Sequence, residues 1–247
     1  MDRIKLSLLG LSLTFASVGC TEDIASVNLK TSGMHADFQA LASKSSADGV
    51  VTGSGTQVSA YLRAGGNKSN TVVDLTDGDE LIISTPDEER TLTDEERTTD
   101  FDGDEDGLEF TFALMRGGDD DDAPNSTVTL PPNFEIEGLE PEDEQINAER
   151  SRSEALELTL AGLDSGEVDW EIEGDCIFRE TGSAKVSKSG GIVIPADAVD
   201  AHSGDEDSEC GAKLKVEIVN KGTLDPALGS GDIRSIRRRW FTFVSTP

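Results

Sequence analysis

The chain has 247 residues and a formal net charge of −29 at pH 7, because 50 acidic residues stand against 21 lysines and arginines. A surface of this sign repels phosphate backbones and anionic lipid headgroups, which argues against nucleic-acid binding. Solubility or adaptation to a salty medium is the simplest explanation of the charge, although cations or a basic partner would also be attracted.

The first twenty residues have the pattern of an export signal. Arg3 and Lys5 precede an apolar run over residues 6–18, which is too short to span a bilayer as a helix. The run ends in the letters SVGC at positions 17–20. Small residues just before a cysteine resemble the lipobox of bacterial lipoproteins, a family in which the chain is cut before the cysteine and the cysteine carries the lipid.

This resemblance implies a signal peptide over residues 1–19 and a lipid on Cys20. Ser17 departs from the family pattern, which usually has leucine at that place, and the resemblance covers these twenty residues alone. Thr21 follows the cysteine, and the lack of aspartate there implies outer-membrane retention if the cell is Gram-negative. The alternative is an ordinary secreted protein in which Cys20 has no such role.

The two other cysteines are predicted to pair. With Cys20 assigned to the lipid, Cys176 and Cys210 remain, and an oxidising compartment lets them form a disulfide. A free thiol pair or a metal site are the alternatives. Zinc is disfavoured because no histidine lies near either cysteine in the sequence.

Apolar and polar residues alternate through residues 24–116, which predicts a first domain of short antiparallel strands. One acidic loop within it, residues 85–107, is unusually long and repeats the letters DEERT at 87–91 and 94–98. A loop of this length inside a compact domain is either functional or disordered. The alternating runs that predict strands are 27–40, 58–62, 70–84 and 108–114.

The letters GGDDDDAPNST at residues 117–127 predict an acidic linker between two domains. Alternation returns in residues 128–247, where Trp170 shares one strand face with its apolar neighbours. This strand, Cys176 and the strand after Cys210 resemble an immunoglobulin-like arrangement, although the spacing is not that of an antibody domain and Trp170 precedes both cysteines. The sequence therefore predicts two tandem immunoglobulin-like or fibronectin-like antiparallel β-sandwich domains.

The acidic loop contains the D-x-D-x-D-G opening of a calcium loop at residues 102–107. An EF-hand is excluded because its twelfth position would be Ala113, in a predicted strand. Calcium needs only six to eight suitably placed oxygens, so another geometry is possible, and Asp77, Asp79 and Glu80 could join if their turn lies at the same end. The alternative is a solvated acidic loop. The predicted ligands are Asp100, Asp102, Asp104, Asp106 and Glu109.

A basic cluster stands out near the end of this acidic chain, just before Trp240. Its members are Arg234, Arg237, Arg238 and Arg239. One interpretation is that these arginines pair with acidic neighbours on adjacent strands and lay their stems on aromatic rings. The other is a docking patch for an anionic ligand or polymer.

Sequence motifs of enzymes are missing from the chain. No nucleophile elbow, zinc-protease motif, P-loop or dinucleotide fingerprint occurs, and the two histidines, His35 and His202, lie in different predicted domains. We therefore expect no enzyme and no obligatory cofactor, with calcium as the one possible ion. Carboxylates are plentiful, so a glycosidase-like carboxylate pair stays an alternative.

The resulting expectation is a lipid-anchored protein of the cell envelope with a binding or structural role. It resembles predicted surface lipoproteins with immunoglobulin-like modules, and its partners would be the membrane, through the lipid, and a protein or polymer of the envelope. The alternatives are a calcium-dependent adhesion module and an envelope carbohydrate-active enzyme, which would need a pocket holding two carboxylates and an aromatic ring.

Overall fold

A computed structural model describes residues 23–42, 54–93, 96–137 and 149–247 of the chain. These residues form β-strands and three short 3₁₀ turns, and no α-helix occurs among them. The predicted all-β class is therefore confirmed. Within the same ranges, no helix is long and apolar enough to cross a membrane.

The described ranges contain seventeen strands, and several of those that line the cores alternate between buried and less buried side chains, as the sequence pattern predicts. In chain order they are β1 (Asp23–Ala25), β2 (Met34–Ala42), β3 (Thr56–Ala64), β4 (Val72–Asp74), β5 (Glu80–Ser84), β6 (Glu89–Leu92), β7 (Thr98–Phe101), β8 (Glu109–Met115), β9 (Ala123–Thr129), β10 (Glu135–Ile136), β11 (Glu149–Ser151), β12 (Leu156–Ala161), β13 (Glu167–Gly174), β14 (Ile177–Lys185), β15 (Gly191–Ile194), β16 (Cys210–Lys221) and β17 (Ser230–Thr246).

Ten of these strands form one large mixed sheet, in the order β1-β4-β3-β2-β17-β16-β13-β14, with β7 on β3 and β11 on β17. Strand β17 joins the two parts of this sheet because it pairs with a different strand along each of its edges. Its residues 230–237 run parallel to β2, and its residues 234–245 run antiparallel to β16. The large sheet therefore contains strands from both halves of the sequence.

Two smaller sheets pack on the large one and create two hydrophobic cores. The sheet β6-β5-β8-β9 covers the first half, where Phe38 of β2 stacks on Phe112 of β8 with ring centroids 4.8 Å apart. The sheet β10-β12-β15 covers the second half. There Trp170 lies across Gly182 of β14, where an added Cβ would come within 2.7 Å of the indole Cε2. Glycine at this position therefore makes room for the indole ring.

The predicted linker, residues 117–127, is mostly part of the first sandwich. Residues 117–122 connect β8 to β9, and residues 123–127 lie in β9, which pairs with β8. Ala123 and Ser126 are small enough to be buried in β9. The acidic residues before them therefore form the connection of the hairpin between β8 and β9. The chain instead crosses between the cores after Leu130, which packs in the first core, and Phe134 already packs in the second.

The predicted loop, residues 85–107, also differs from the expectation, because it contains β6 and β7. Leu92 and Phe101 anchor these strands by burying their side chains in the first core. Arg90, from the first DEERT copy, lies over the ring of Phe101 at 5.6 Å from its centroid. The apolar residues between the carboxylates therefore decide the local structure.

Candidate functional site

The predicted disulfide between Cys176 and Cys210 is confirmed, with a Cα–Cα distance of 5.8 Å. Cys176 lies in the turn between β13 and β14, and Cys210 opens β16, the neighbour of β13 in the same sheet. An antibody-type bridge instead joins two facing sheets, so this bond departs from the immunoglobulin pattern. The predicted lipid site, Cys20, lies outside the described residues.

The predicted calcium ligands do not converge on one point. The Asp104 carboxylate accepts from the Gly55 N–H at 3.4 Å, and the Asp106 carboxylate accepts from the Asn133 N–H at 2.6 Å. Asp100 lies on β7 and Glu109 on β8. The loop carboxylates near residue 104 thus act mainly as acceptors that fix the backbone around them.

No group of three or more metal-ligating side chains occurs in the part of the chain that the structure describes. Asp79 does not join the acidic loop, because Arg116 donates to its carboxylate at 2.9 Å. The backbone N–H of Asp102 donates to the Glu88 carboxylate at 3.0 Å. The calcium site stays a prediction, and the geometry gives it no additional support.

The four arginines of β17 do not form one patch, because strand alternation separates them. Arg234 donates to Gln39 at 3.2 Å, and Arg238 lies 3.5 Å from the Glu217 carboxylate directly across the strand pair. Arg239 donates to Glu135 at 3.1 Å and lies over the ring of Phe134. These contacts match the interpretation in which the arginines pair with acidic neighbours and cover aromatic rings.

Arg237 is the largest of the fully buried side chains, with only 1% of its surface exposed. Its guanidinium donates to the Asp104 carbonyl at 2.5 Å, to the Pro131 carbonyl at 3.1 Å and to the Asn133 side chain at 3.4 Å. Burial lowers the pKa of Arg237, and the nearby charge of Arg239 lowers it further, whereas neighbouring carboxylates raise it. Arg237 therefore ties the acidic loop to the segment that connects the two cores.

A groove lies on the outer face of the large sheet. Because alternate residues of a strand point to opposite faces, Trp170 points to the core and Glu171 points outward. The volume of the groove is about 260 Å³. Its lining combines carboxylates, hydroxyls and one ammonium group, from Asp169, Trp170, Glu171, Thr181, Gly182, Ser183, Lys215 and Glu217.

The side chains of the groove form a chain of alternating charges across four strands. Arg179 of β14 forms an ion pair with Glu171, and the Lys215 ammonium lies 2.5 Å from the same carboxylate. Lys215 also lies 3.7 Å from Glu217, which faces Arg238 at 3.5 Å. Each charged group of this network therefore has a neighbour of the opposite sign.

Glu171 is held in its ionised form at neutral pH. Burial by itself would raise the pKa of this carboxyl, but the hydrogen bond and charge of Lys215, together with Arg179, lower it below the ordinary value. A general acid for glycoside hydrolysis needs a raised pKa instead. The electrostatics of the groove therefore favour recognition of a ligand over proton transfer by Glu171.

Trp240 of β17 borders this network and presents unused hydrogen-bonding capacity. Lys213 lies over its ring at 4.1 Å from the centroid, and Lys215 lies at 5.9 Å. Within the described ranges, the buried indole N–H of Trp240 and the Nε of Arg238 have no hydrogen-bond partner. Both atoms are shielded from the surface, so neither is open to a ligand in this structure.

The sequence contained a signal for this network that a search for motifs does not find. In the letters EVDWEIEG every second residue is acidic, and in the letters AKLKVEIV two lysines alternate with apolar residues. Such segments pair well when they become neighbours, since opposite charges directly across strands stabilise a sheet. Only the pairing of β13 with β16 shows which charges meet.

Comparisons with known proteins add no family to this description. No protein-family model matches the chain, and a search of curated proteins gives no match either.

Proposed function

We propose that this chain is a lipid-anchored protein of the cell envelope with a binding or structural role and without catalytic activity. The observation that carries the proposal is the SVGC sequence at residues 17–20, at the end of an export signal. The disulfide between Cys176 and Cys210 supports it, because such bonds persist in oxidising compartments outside the cytosol. The outer membrane is the proposed location.

The two sandwiches are proposed to be immunoglobulin-like or fibronectin-like modules. The paired sheets around each core and the buried Trp170 support this classification. Such modules often act as rigid scaffolds whose surfaces bind other molecules. The proposed partner is a protein or polymer of the envelope, and the groove around Glu171 and Lys215 is the surface where we place its binding.

The polar lining of the groove supports a binding role. Carboxylates, hydroxyls and an ammonium group in one groove suit a ligand with many hydroxyl groups or with charges of both signs. A carbohydrate polymer of the envelope meets the first description. The acidic surface makes a strongly anionic polymer a poor candidate.

Mass spectrometry of the protein purified from membranes tests the anchor. The mature chain should begin at Cys20 and carry acyl chains there, and it should fractionate with membranes. Cys20→Ser should abolish acylation and membrane association, whereas Thr21→Ser is a matched control that keeps the cysteine and should leave both unchanged. An unmodified mature terminus in the membrane-derived protein would refute the proposal.

Binding of envelope polysaccharide tests the groove. Pull-down of mature protein with purified envelope polysaccharide should weaken about tenfold in Asp169→Ala, because Asp169 lines the groove and a hydrogen bond to a charged group contributes about 1.5–3 kcal/mol. Tyr61→Ala is the control, since Tyr61 is an exposed aromatic residue of β3, far along the sheet from the groove. Equal binding by both variants and the wild type would remove the groove from the proposal.

A further inference from the structure

We infer that the β1 end of the large sheet, defined as β1, β4 and residues 26–31, lies directly against the membrane that holds Cys20. The remainder of the molecule, including the groove, then stands away from the lipid. This inference rests on the proposed lipid anchor, and it identifies the headgroup layer of that membrane as the partner of one particular surface.

The distance between the anchor and the fold is very short. Only Thr21 and Glu22 separate Cys20 from Asp23, the first residue of β1. Consecutive Cα atoms are about 3.8 Å apart, so Cys20 and Asp23 are separated by at most about 11 Å. A lipid on Cys20 therefore holds β1 within roughly this distance of the membrane interface.

The residues after the anchor are firmly attached to the body of the protein. Asp23–Ala25 pair in parallel with Val72–Asp74, and the Thr76 N–H donates to the Ser26 hydroxyl at 2.9 Å. Arg116 donates to the carbonyls of Ser26 at 3.0 Å and Leu29 at 3.1 Å. The body of the protein therefore cannot separate from the anchored β1 without losing these hydrogen bonds.

Two side chains of this end favour an interface with headgroups. Val27 has 51% of its surface exposed, although it is an apolar residue, and Lys30 is exposed three residues later. The aspartates of residues 119–122 lie against the same end, where Arg116 forms ion pairs with Asp79 and Asp120 at 2.9 and 3.4 Å. This end stays acidic, so the lipid and not the surface charge holds it at the membrane.

The groove lies at the opposite end of the large sheet. Seven strand intervals separate β1 from β14 in the sheet order, and neighbouring strands are about 4.8 Å apart, so the two edges are separated by about 34 Å. The net charge of −29 keeps the rest of the surface away from anionic headgroups. The short attachment and this repulsion together leave the groove open to the surrounding medium.

Fluorescence quenching by labelled lipids tests this orientation. The acylated full-length protein is reconstituted in vesicles of phosphatidylethanolamine and phosphatidylglycerol that carry a quencher on the headgroup. A fluorophore is attached to the Val27→Cys or the Val193→Cys variant without reduction of the native disulfide. Val193 is the matched control, because it is also a valine, it is 56% exposed, and it lies on β15 beside the second core.

The inference predicts strong quenching at position 27 and little at position 193. An insertion of about ten Gly and Ser residues between Glu22 and Asp23, which adds about 17 Å of flexible chain, should reduce the quenching at position 27. Equal quenching at both positions in acylated protein, or no effect of the insertion, would overturn the inference. Mass spectrometry of the same sample separates this result from failure of the anchor, because a missing acyl chain would refute the proposed function instead.

Discussion

Replacement of Arg237 by methionine should destabilise the protein by about 3–5 kcal/mol, because two backbone carbonyls lose their hydrogen bonds to a buried charged donor. Methionine retains much of the length of the side chain but none of its donors. The carbonyls of Asp104 and Pro131, which accept from Arg237 at 2.5 and 3.1 Å, would lose their partner. Hydrogen bonds to a charged group contribute about 1.5–3 kcal/mol each, so these two contacts account for most of the loss.

The ion pair of Arg237 with Asp106 adds little to this estimate. The two groups are 3.8 Å apart, and 60% of the Asp106 side chain is exposed, so water screens their attraction. Arg237→Lys should cause an intermediate loss, because a single ammonium keeps the charge but does not reproduce the fork of a guanidinium.

Urea denaturation of the mature chain measures these differences in the free energy of unfolding. Arg234→Met is the matched control: the same substitution in the same strand removes a side chain that is 43% exposed, and we expect a loss below about 1 kcal/mol. If both methionine variants lose the same stability, the buried hydrogen bonds do not outweigh the cost of burying the guanidinium, and the reasoning is wrong.

Three further predictions concern other parts of the chain. The stabilisation by Glu171, whose pKa is lowered from 4.5, is present above that unfolded value and lost as the pH falls through the lower folded pKa, so Glu171→Gln should flatten the acid limb of stability against pH. Replacing Cys176 and Cys210 together by serine should cost about 3.5 kcal/mol in urea denaturation, as chain entropy predicts for a separation of 34 residues, and an unchanged midpoint would contradict this. Calcium and magnesium should shift the melting temperature equally at fixed ionic strength, because the loop carboxylates do not converge; a shift specific to calcium and lost in Asp102→Asn with Asp104→Asn would instead establish a calcium site.

Local patterns of the sequence predicted the strands well but not their partners. Val168, Trp170 and Ile172 alternate with acidic residues, and this period of two is enough to predict β13 and its buried face. The pairing of β17 with β2 joins residues 195 positions apart, such as His35 and Ser230. No local period contains information about a contact at this separation.

The predicted linker shows where composition misleads. Four consecutive aspartates dominate the letters of residues 117–127, yet Ala123 and Ser126 decide the structure by fitting into the first core. In the same way, the run of arginines before Trp240 indicated one basic cluster, but only the fold reveals that Arg237 is buried and Arg234 is not. The net charge of a segment therefore does not predict which of its individual side chains are buried.

The shared strand β17 has a consequence for the order in which this protein can fold. The first core contains Ile233 and Leu228, from the last twenty residues of the chain, next to residues that begin at Met34. Synthesis of the chain starts at its N-terminus, so the edge of β2 stays open until the final residues have been made. The first sandwich is therefore completed only at the end of synthesis, and a chain that stops before Ser230 leaves both cores without their common strand.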